Sequence, residues 1–257
     1  METFILEVCV DSVESAIAAV RGGADRLEVC SNLVIGGTTP GISLFQQIRK
    51  SCDVALHVLL RPRYGDFLYT DREFQMIAED GKRFLDLGAD GIVAGCLNPD
   101  GSLDLGRMKQ LRALAGKHHV TLHRAFDLCL DPERTLEEAV DLGVDTILTS
   151  GQEESCIQGK ELLGRLIRQA GERIEILVGS GVNAEGIAGL AGEISAKAFH
   201  MSGKIMVDSG MDYRKPGVPM GIPGMDEYRV FRTDEKEIRQ AKEVLQRLKK
   251  AGNAGQP

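Results

Sequence analysis

Three times along this chain a Gly-x-Asp triplet separates a helical pattern from a short apolar run: Gly23-Ala24-Asp25, Gly88-Ala89-Asp90 and Gly143-Val144-Asp145. Glycine at such a junction ends a helix, because it enters the left-handed region without a Cβ penalty. The apolar residues that follow open a strand. A chain that repeats helix end and strand start in this way is assembled from β/α units, and few folds satisfy that constraint.

The strands predicted on this pattern are Phe4–Val8, Arg26–Cys30, Val54–Leu60, Gly91–Ala94, Val120–His123, Thr146–Thr149, Ile174–Val178 and Ala198–His200. Most are rich in Val, Ile or Leu, as in parallel strands buried on both faces. Helices are predicted at Ser12–Arg21, Leu44–Lys50, Arg72–Leu87, Leu105–Ala115, Glu133–Leu142, Lys160–Ala170, Glu185–Ala191 and Glu235–Lys249. In the last of these, Ile238, Ala241, Leu245 and Leu248 follow the 3.6-residue period. This order predicts one α/β domain over residues 1–250, a (β/α)8 TIM barrel, and 257 residues suit a single barrel of that kind. A doubly wound open sheet is the alternative, but no Gly-x-Gly-x-x-Gly follows the first strand. Residues 203–232 are rich in Gly, Pro and Met and read as an extended loop before the last helix, and 251–257 as a flexible tail.

Lys plus Arg number 31 against 38 Asp plus Glu, a net charge of -7. That balance argues against nucleic acid and against an anionic membrane surface as partners. The first residues carry Glu2, Glu7, Asp11 and Glu14 and no basic stretch, so no signal peptide is expected, and no apolar run is long enough to span a bilayer. The six cysteines are dispersed, which fits a reduced, cytoplasmic protein better than a disulfide framework.

Barrel sites gather at the carboxyl ends of strands. Those positions bring together Cys9, Cys30, Arg61, Arg63, Cys96, His123, Arg124, Asp127, Ser150, Gly179, Ser180, Gly181, His200 and Ser202. Strand alternation turns Glu7 to the same side as Cys9, and Glu28 to the same side as Cys30. If that side is the lumen, the carboxylates need partners, and Arg61, His123 and Arg124 are the expected ones; structural ion pairs would serve equally. Leu-Glu-Val-Cys ends two consecutive strands, at Leu6–Cys9 and Leu27–Cys30. Two thiols on neighbouring strands suit Cu(I) or a redox disulfide, and also simple packing. Cys52, Cys129 and Cys156 read as structural, and Cys96 fits either role.

Gly179-Ser180-Gly181 and Ser202-Gly203 follow the seventh and eighth predicted strands, where backbone N–H groups can hold an anion, with Lys204 and Arg61 adding charge; tight-turn glycines are the plainer explanation. His123 and His200 are candidates for acid–base work, whereas His57 reads as a core residue and His118-His119 as a surface pair. Met201, Met206, Met211, Met220 and Met225 read as packing under an irregular loop rather than as ligands. No lysine ends a strand before Lys204, which speaks against Schiff-base chemistry, and no zinc-protease motif is present.

Several stretches together carry a resemblance: LEVCVDS at Leu6–Ser12, GGADRLEVC at Gly22–Cys30, GGTTP at Gly36–Pro40, RPRYGDFLY at Arg61–Tyr69, GADG at Gly88–Gly91, HRAFD at His123–Asp127, LTSG at Leu148–Gly151, FHMS at Phe199–Ser202 and DSGM at Asp208–Met211. With these, the chain resembles the CutC copper-homeostasis family. The resemblance implies a cytosolic TIM barrel that binds Cu(I), with Cys9 and Cys30 at the positions of the family's proposed copper ligands. A two-thiol copper site uses none of Arg61, Arg63, His123, Arg124, Asp127 or His200. A second expectation is therefore an enzyme acting on a small anionic or phosphorylated metabolite. In it, Arg61, Arg63, Arg124, Gly179, Ser180, Gly181 and Ser202 hold the anion, and His123 or His200 moves a proton with Asp127 or Glu28 in support. A homo-oligomer with the Met-rich loop at its interface is a third.

Overall fold

The computed structural model describes residues 4–190, 193–218, 220–222 and 224–254, the last four of these by backbone only. Eight parallel strands close into a barrel in sequence order: β1 (Ile5–Val10), β2 (Arg26–Val29), β3 (Ala55–Leu59), β4 (Gly91–Ala94), β5 (His119–Leu122), β6 (Thr146–Thr149), β7 (Glu175–Val178) and β8 (Ala198–Met201), with β8 pairing back on β1. Helices follow the strands: α1 (Val13–Gly22), α2 (Ile42–Ser51), α3 (Asp71–Asp86), α4 (Leu105–Ala115), α5 (Pro132–Asp141), α6 (Lys160–Ala170), α7 (Ala184–Leu190) and α8 (Glu235–Ala254). The predicted (β/α)8 barrel is the observed fold. The end of the seventh predicted helix, Ala191, lies outside the described residues.

The Gly-x-Asp junctions have a physical cause. Gly23, Gly88 and Gly143 sit at φ of +101°, +90° and +71°, where a Cβ would be strained. Each following Asp turns its carboxylate onto the preceding strand. Asp25 accepts from the Leu6 N–H at 2.7 Å, Asp90 from Leu56 at 2.9 Å and Asp145 from Val120 at 2.8 Å. Each is also held by a basic side chain: Lys242, Arg49 and Arg112 respectively. The triplet therefore ends one helix and locks the next strand in register with its neighbour.

The core between sheet and helices is continuous and apolar, with Leu6, Val8, Leu27, Val29, Leu56, Ile92, Phe45, Phe84, Phe126 and Phe199 fully or almost fully buried. The lumen is polar. Glu7, Arg26, Glu28, His57, Thr121 and Thr146 are all buried.

Two expectations about the C-terminal part change. The segment read as a loop over 203–232 contains an antiparallel ribbon, β9 (Lys204–Asp208) on β10 (Arg229–Thr233), with Val207 opposite Val230 and Met206 opposite Phe231. Both strands are short, and the Gly- and Pro-rich excursion between them masks their pairing. Helix α8 runs to Ala254, beyond the expected start of a tail at 251, because Ala251 and Ala254 favour helix and no proline intervenes. Residues 255–257 lie outside the described residues. Met201 is buried, whereas Met206, Met211, Met220 and Met225 are exposed, so packing under the loop describes Met201 alone. No helix among the described residues is long and apolar enough to cross a membrane.

Candidate functional site

A pocket of about 660 Å³ opens at the carboxyl ends of the strands. Cys9, Glu28, Arg61, His123, Arg124, Asp127, Ser180, Gly181, His200 and Ser202 line it together with Phe67, Lys204 and the apolar Leu33, Ile35, Leu59, Leu128, Leu148 and Val182. Arg63, Gly179 and Cys30 do not line it.

The floor is set by strand register. Glu7 lies opposite His200 across β1 and β8, and Cys9 opposite Glu28 across β1 and β2. Glu7 Oε2 accepts from Arg26 Nε at 2.5 Å, and Glu7 Oε1 bonds His200 Nδ1 at 2.7 Å. The lumen carboxylates thus find Arg26 and His200, not the expected Arg61, His123 and Arg124. Arg26 was legible: it stands two residues before Glu28 on one strand and so faces the same lumen. Below Glu7, His57 stacks on His119 with ring centroids 4.6 Å apart, and His119 bonds Thr146 Oγ1 at 2.8 Å. His119 is therefore a lumen residue rather than half of a surface pair. His118 is half-buried and bonds the Ala115 carbonyl.

These contacts sort the protonation states. Burial alone would raise Glu7, but Arg26 and then His200 and His57 outweigh it and hold this carboxyl far below its usual range. Burial pushes Glu28 up to about 7; His200 pulls against it, and the negative charge of Glu7 adds to it. Glu28 Oε2 is buried with no hydrogen-bond partner among the described residues. Burial would strip His200 of its proton, yet Cys9, Glu7 and Glu28 around it keep it charged well above the usual histidine range. Burial, helped by Arg61, lowers His123 to about 3, so this ring is neutral. Its Nδ1 accepts from the Ala125 N–H at 3.1 Å, which leaves the proton on Nε2. That N–H is buried without an acceptor and belongs to a ring packed on Phe67 at 4.7 Å. His123 is suited to donate a hydrogen bond and is a poor base.

Several candidates are committed to structure. Arg61 donates to the Gly37 carbonyl at 3.1 Å and the Gly65 carbonyl at 2.7 Å and lies over the Phe67 ring, pinning two loops together; only its Nε is left buried and unpaired. Arg63 is spent on Glu73 at 2.7 Å and Asp66 at 3.0 Å, on the outer side of that loop. Asp127 accepts from Thr149 Oγ1 at 2.5 Å, Ser150 N at 3.1 Å, Gln152 N at 3.2 Å and Arg124 Nε at 2.6 Å. A carboxylate so saturated with donors fixes Arg124 and the Ser150–Gln152 loop. Arg124 keeps one guanidinium nitrogen, Nη1, without a partner among the described residues, beside the pocket. Ser180 and Gly181 are both in the left-handed region, at φ of +68° and +74°. Neither of their N–H groups finds an acceptor among the described residues.

The two cysteines form a small cluster with Leu59 and Val93. Cys9 Sγ lies 3.6 Å from the Met201 carbonyl and Cys30 Sγ 3.5 Å from the Val10 carbonyl. Burial, with Cys9, Glu28 and Asp11 adding to it, pushes the Cys30 thiol up. Cys96 is raised to about 12 by burial and is inert at neutral pH.

The sequence model of the CutC family matches residues 4–205. The family protein CutC of Chromobacterium violaceum is 46% identical over 241 residues, covering 94% of this chain and 98% of its own. The human copper homeostasis protein cutC homolog is 42% identical over 237 residues, covering 92% of this chain and 87% of its own. The crystal structure of CutC from Streptococcus agalactiae, at 29% identity, superposes with a TM-score of 0.73 and covers 78% of this chain and 99% of that one.

Proposed function

The chain belongs to the CutC family, and from that premise we propose that it serves copper homeostasis, the role its relatives' names carry, through a pocket that moves a proton on a small anionic molecule. The observation that carries the chemical part is Glu28. A buried carboxyl with one unpaired oxygen, titrating near 7 at the floor of an open pocket, is placed and tuned as a general acid–base. The charged His200 beside it stabilises negative charge that develops on the bound molecule. The Nε2–H of His123 supplies a neutral donor. Arg124 Nη1 and the N–H groups of Ser180 and Gly181 hold the anion, and Asp127 and Arg61 keep those groups in place. The free, buried state of all six cysteines supports a reducing, cytosolic setting.

Melting curves across a library of small anions test this. At a hundredfold excess over Kd, a bound anion stabilises by about 2.7 kcal/mol. A class of carboxylates or phosphates should raise Tm in the wild type and fail to do so in Arg124→Ala. No response to any anion, or an equal response in the variant, would sink the reading.

A second reading, Cu(I) as cargo on Cys9 and Cys30, is favoured by Cys9 reaching the pocket and Cys30 packing behind it. Two soft sulfurs suit Cu(I) once their protons leave. A Cu(I) titration against a competing chelator should lose affinity in both Cys9→Ser and Cys30→Ser, and unchanged binding in both would dismiss the cysteine site.

A further inference from the structure

We propose that Glu7, Glu28 and His200 form a site for one divalent cation of the Zn2+ or Mn2+ kind, opening into the strand-end pocket. Each of the three can offer one donor atom so that all three atoms lie within 4.8 Å of one another. Three donors held tetrahedrally at 2.0–2.2 Å from one ion stand about 3.3–3.6 Å apart, so side-chain movement of up to about an ångström closes the set. All three side chains stand on adjacent strands, β8, β1 and β2, whose register is fixed by the barrel.

An independent observation points to the ligand. Glu28 is only 5% exposed, and its Oε2 has no partner among the described residues. A buried carboxylate oxygen without a donor is costly, and a cation is the partner it lacks. Arg26 occupies Oε2 of Glu7, and Oε1, which bonds His200 Nδ1 at 2.7 Å, would exchange that contact for the ion. His200, charged without the ion, gives up its proton to ligate, so metal binding displaces a proton.

The donors are two carboxylates and an imidazole, a set for hard or borderline divalent ions and not for Cu(I), which prefers sulfur. Glu28 and His200 line the pocket with Glu7 buried behind them, so three protein ligands leave coordination positions open on the pocket side, the pattern of catalytic rather than structural sites. With both carboxylates ionised, Glu7, Glu28 and Arg26 carry one net negative charge. A divalent ion reverses that sign and would draw an anionic molecule to the floor of the pocket. The inference rests on the anion reading for the pocket's being a substrate site, and with the ion bound Glu28 and His200 act as its ligands in place of their acid–base and charge roles.

Equilibrium dialysis of the full chain with Mn2+ and with Zn2+ tests it, followed by metal analysis and a melting curve. The wild type should retain one equivalent, with a higher Tm. Glu28→Gln and His200→Gln should each weaken retention by about tenfold or more. Should either variant fold poorly, Co2+ in the wild type decides. Its absorption should lack a thiolate-to-metal charge-transfer band. A strong band would put the ion on cysteine and overturn the site, as would no retention of Mn2+ or Zn2+ by the wild type. Retained metal with no Tm response to anions would leave the site standing and remove the anion reading. An anion response without retained metal would do the reverse.

Discussion

Glu28 differs from Glu7 only in its company. Both are buried lumen carboxylates two residues from a cysteine, yet Glu7 is held by Arg26 and His200 while Glu28 keeps an unpaired oxygen. The consequence is measurable. In the folded chain Glu28 holds its proton up to about 7, against 4.5 in the unfolded chain. The folded state binds that proton more tightly, so its contribution to stability is lost as pH rises from about 5 through about 7. Glu28→Gln cannot titrate. Relative to wild type it should therefore gain roughly 3 kcal/mol across that interval, read from denaturant midpoints at each pH. Parallel curves for the two proteins would mean that Glu28 is an ordinary carboxylate. The identity of the site residues was partly legible, because the doubled Leu-Glu-Val-Cys and a strand-ending histidine mark the level of the floor. Their pairing was not. Asp127 reads from its position as support for a proton-moving histidine, and only the three-dimensional loop after β6 reveals that five donors already claim it.

At the scale of the element, the Gly-x-Asp junctions were legible because they need residues that are otherwise unfavourable in regular structure. Their carboxylates do more than start a strand: each takes the first free N–H of the preceding one. Asp90→Ala would leave the Leu56 N–H without its side-chain partner and remove the carboxylate that Arg49 pairs with, leaving Arg49 on the Cys52 and Val54 carbonyls. A loss of about 1–2 kcal/mol is expected, read by urea unfolding, with the pocket untouched. An unchanged midpoint would show the junction to be set by the glycine alone. The ribbon β9–β10 escaped the same reading for an opposite reason. Its five-residue strands mix apolar and charged residues, and their partners run from Asp208 with Arg229 to Lys204 with Thr233, more than twenty residues apart across a glycine-rich excursion. Local pattern carries no signal for a pairing of that span. Helix α8 was found because its apolar stripe is periodic; Ile238, Ala241 and Leu245 pack it against the barrel.

For the whole molecule, a barrel of this order was readable from the repeat, since eight short buried strands alternating with helices have few other closures. What the repeat cannot convey is the lumen. A typical barrel fills it with branched apolar residues, whereas here Glu7, Arg26, Glu28, His57, His119 and Thr146 occupy it, and the pocket above is walled by loops from around the ring. Such a polar interior costs stability and is compatible with a fold selected for a site. The acidic chain as a whole says nothing about that site, where Arg124, Lys204 and His200 give a locally basic mouth. The most direct measurement is a crystal structure of the protein taken from cells without added ligand, or soaked with the anion that most raises Tm. The account predicts density for a small anion against Ser180, Gly181 and Arg124, with a polar atom within hydrogen-bond reach of Glu28. Density confined to a metal between the sulfurs of Cys9 and Cys30, with only solvent over Glu28, would contradict it.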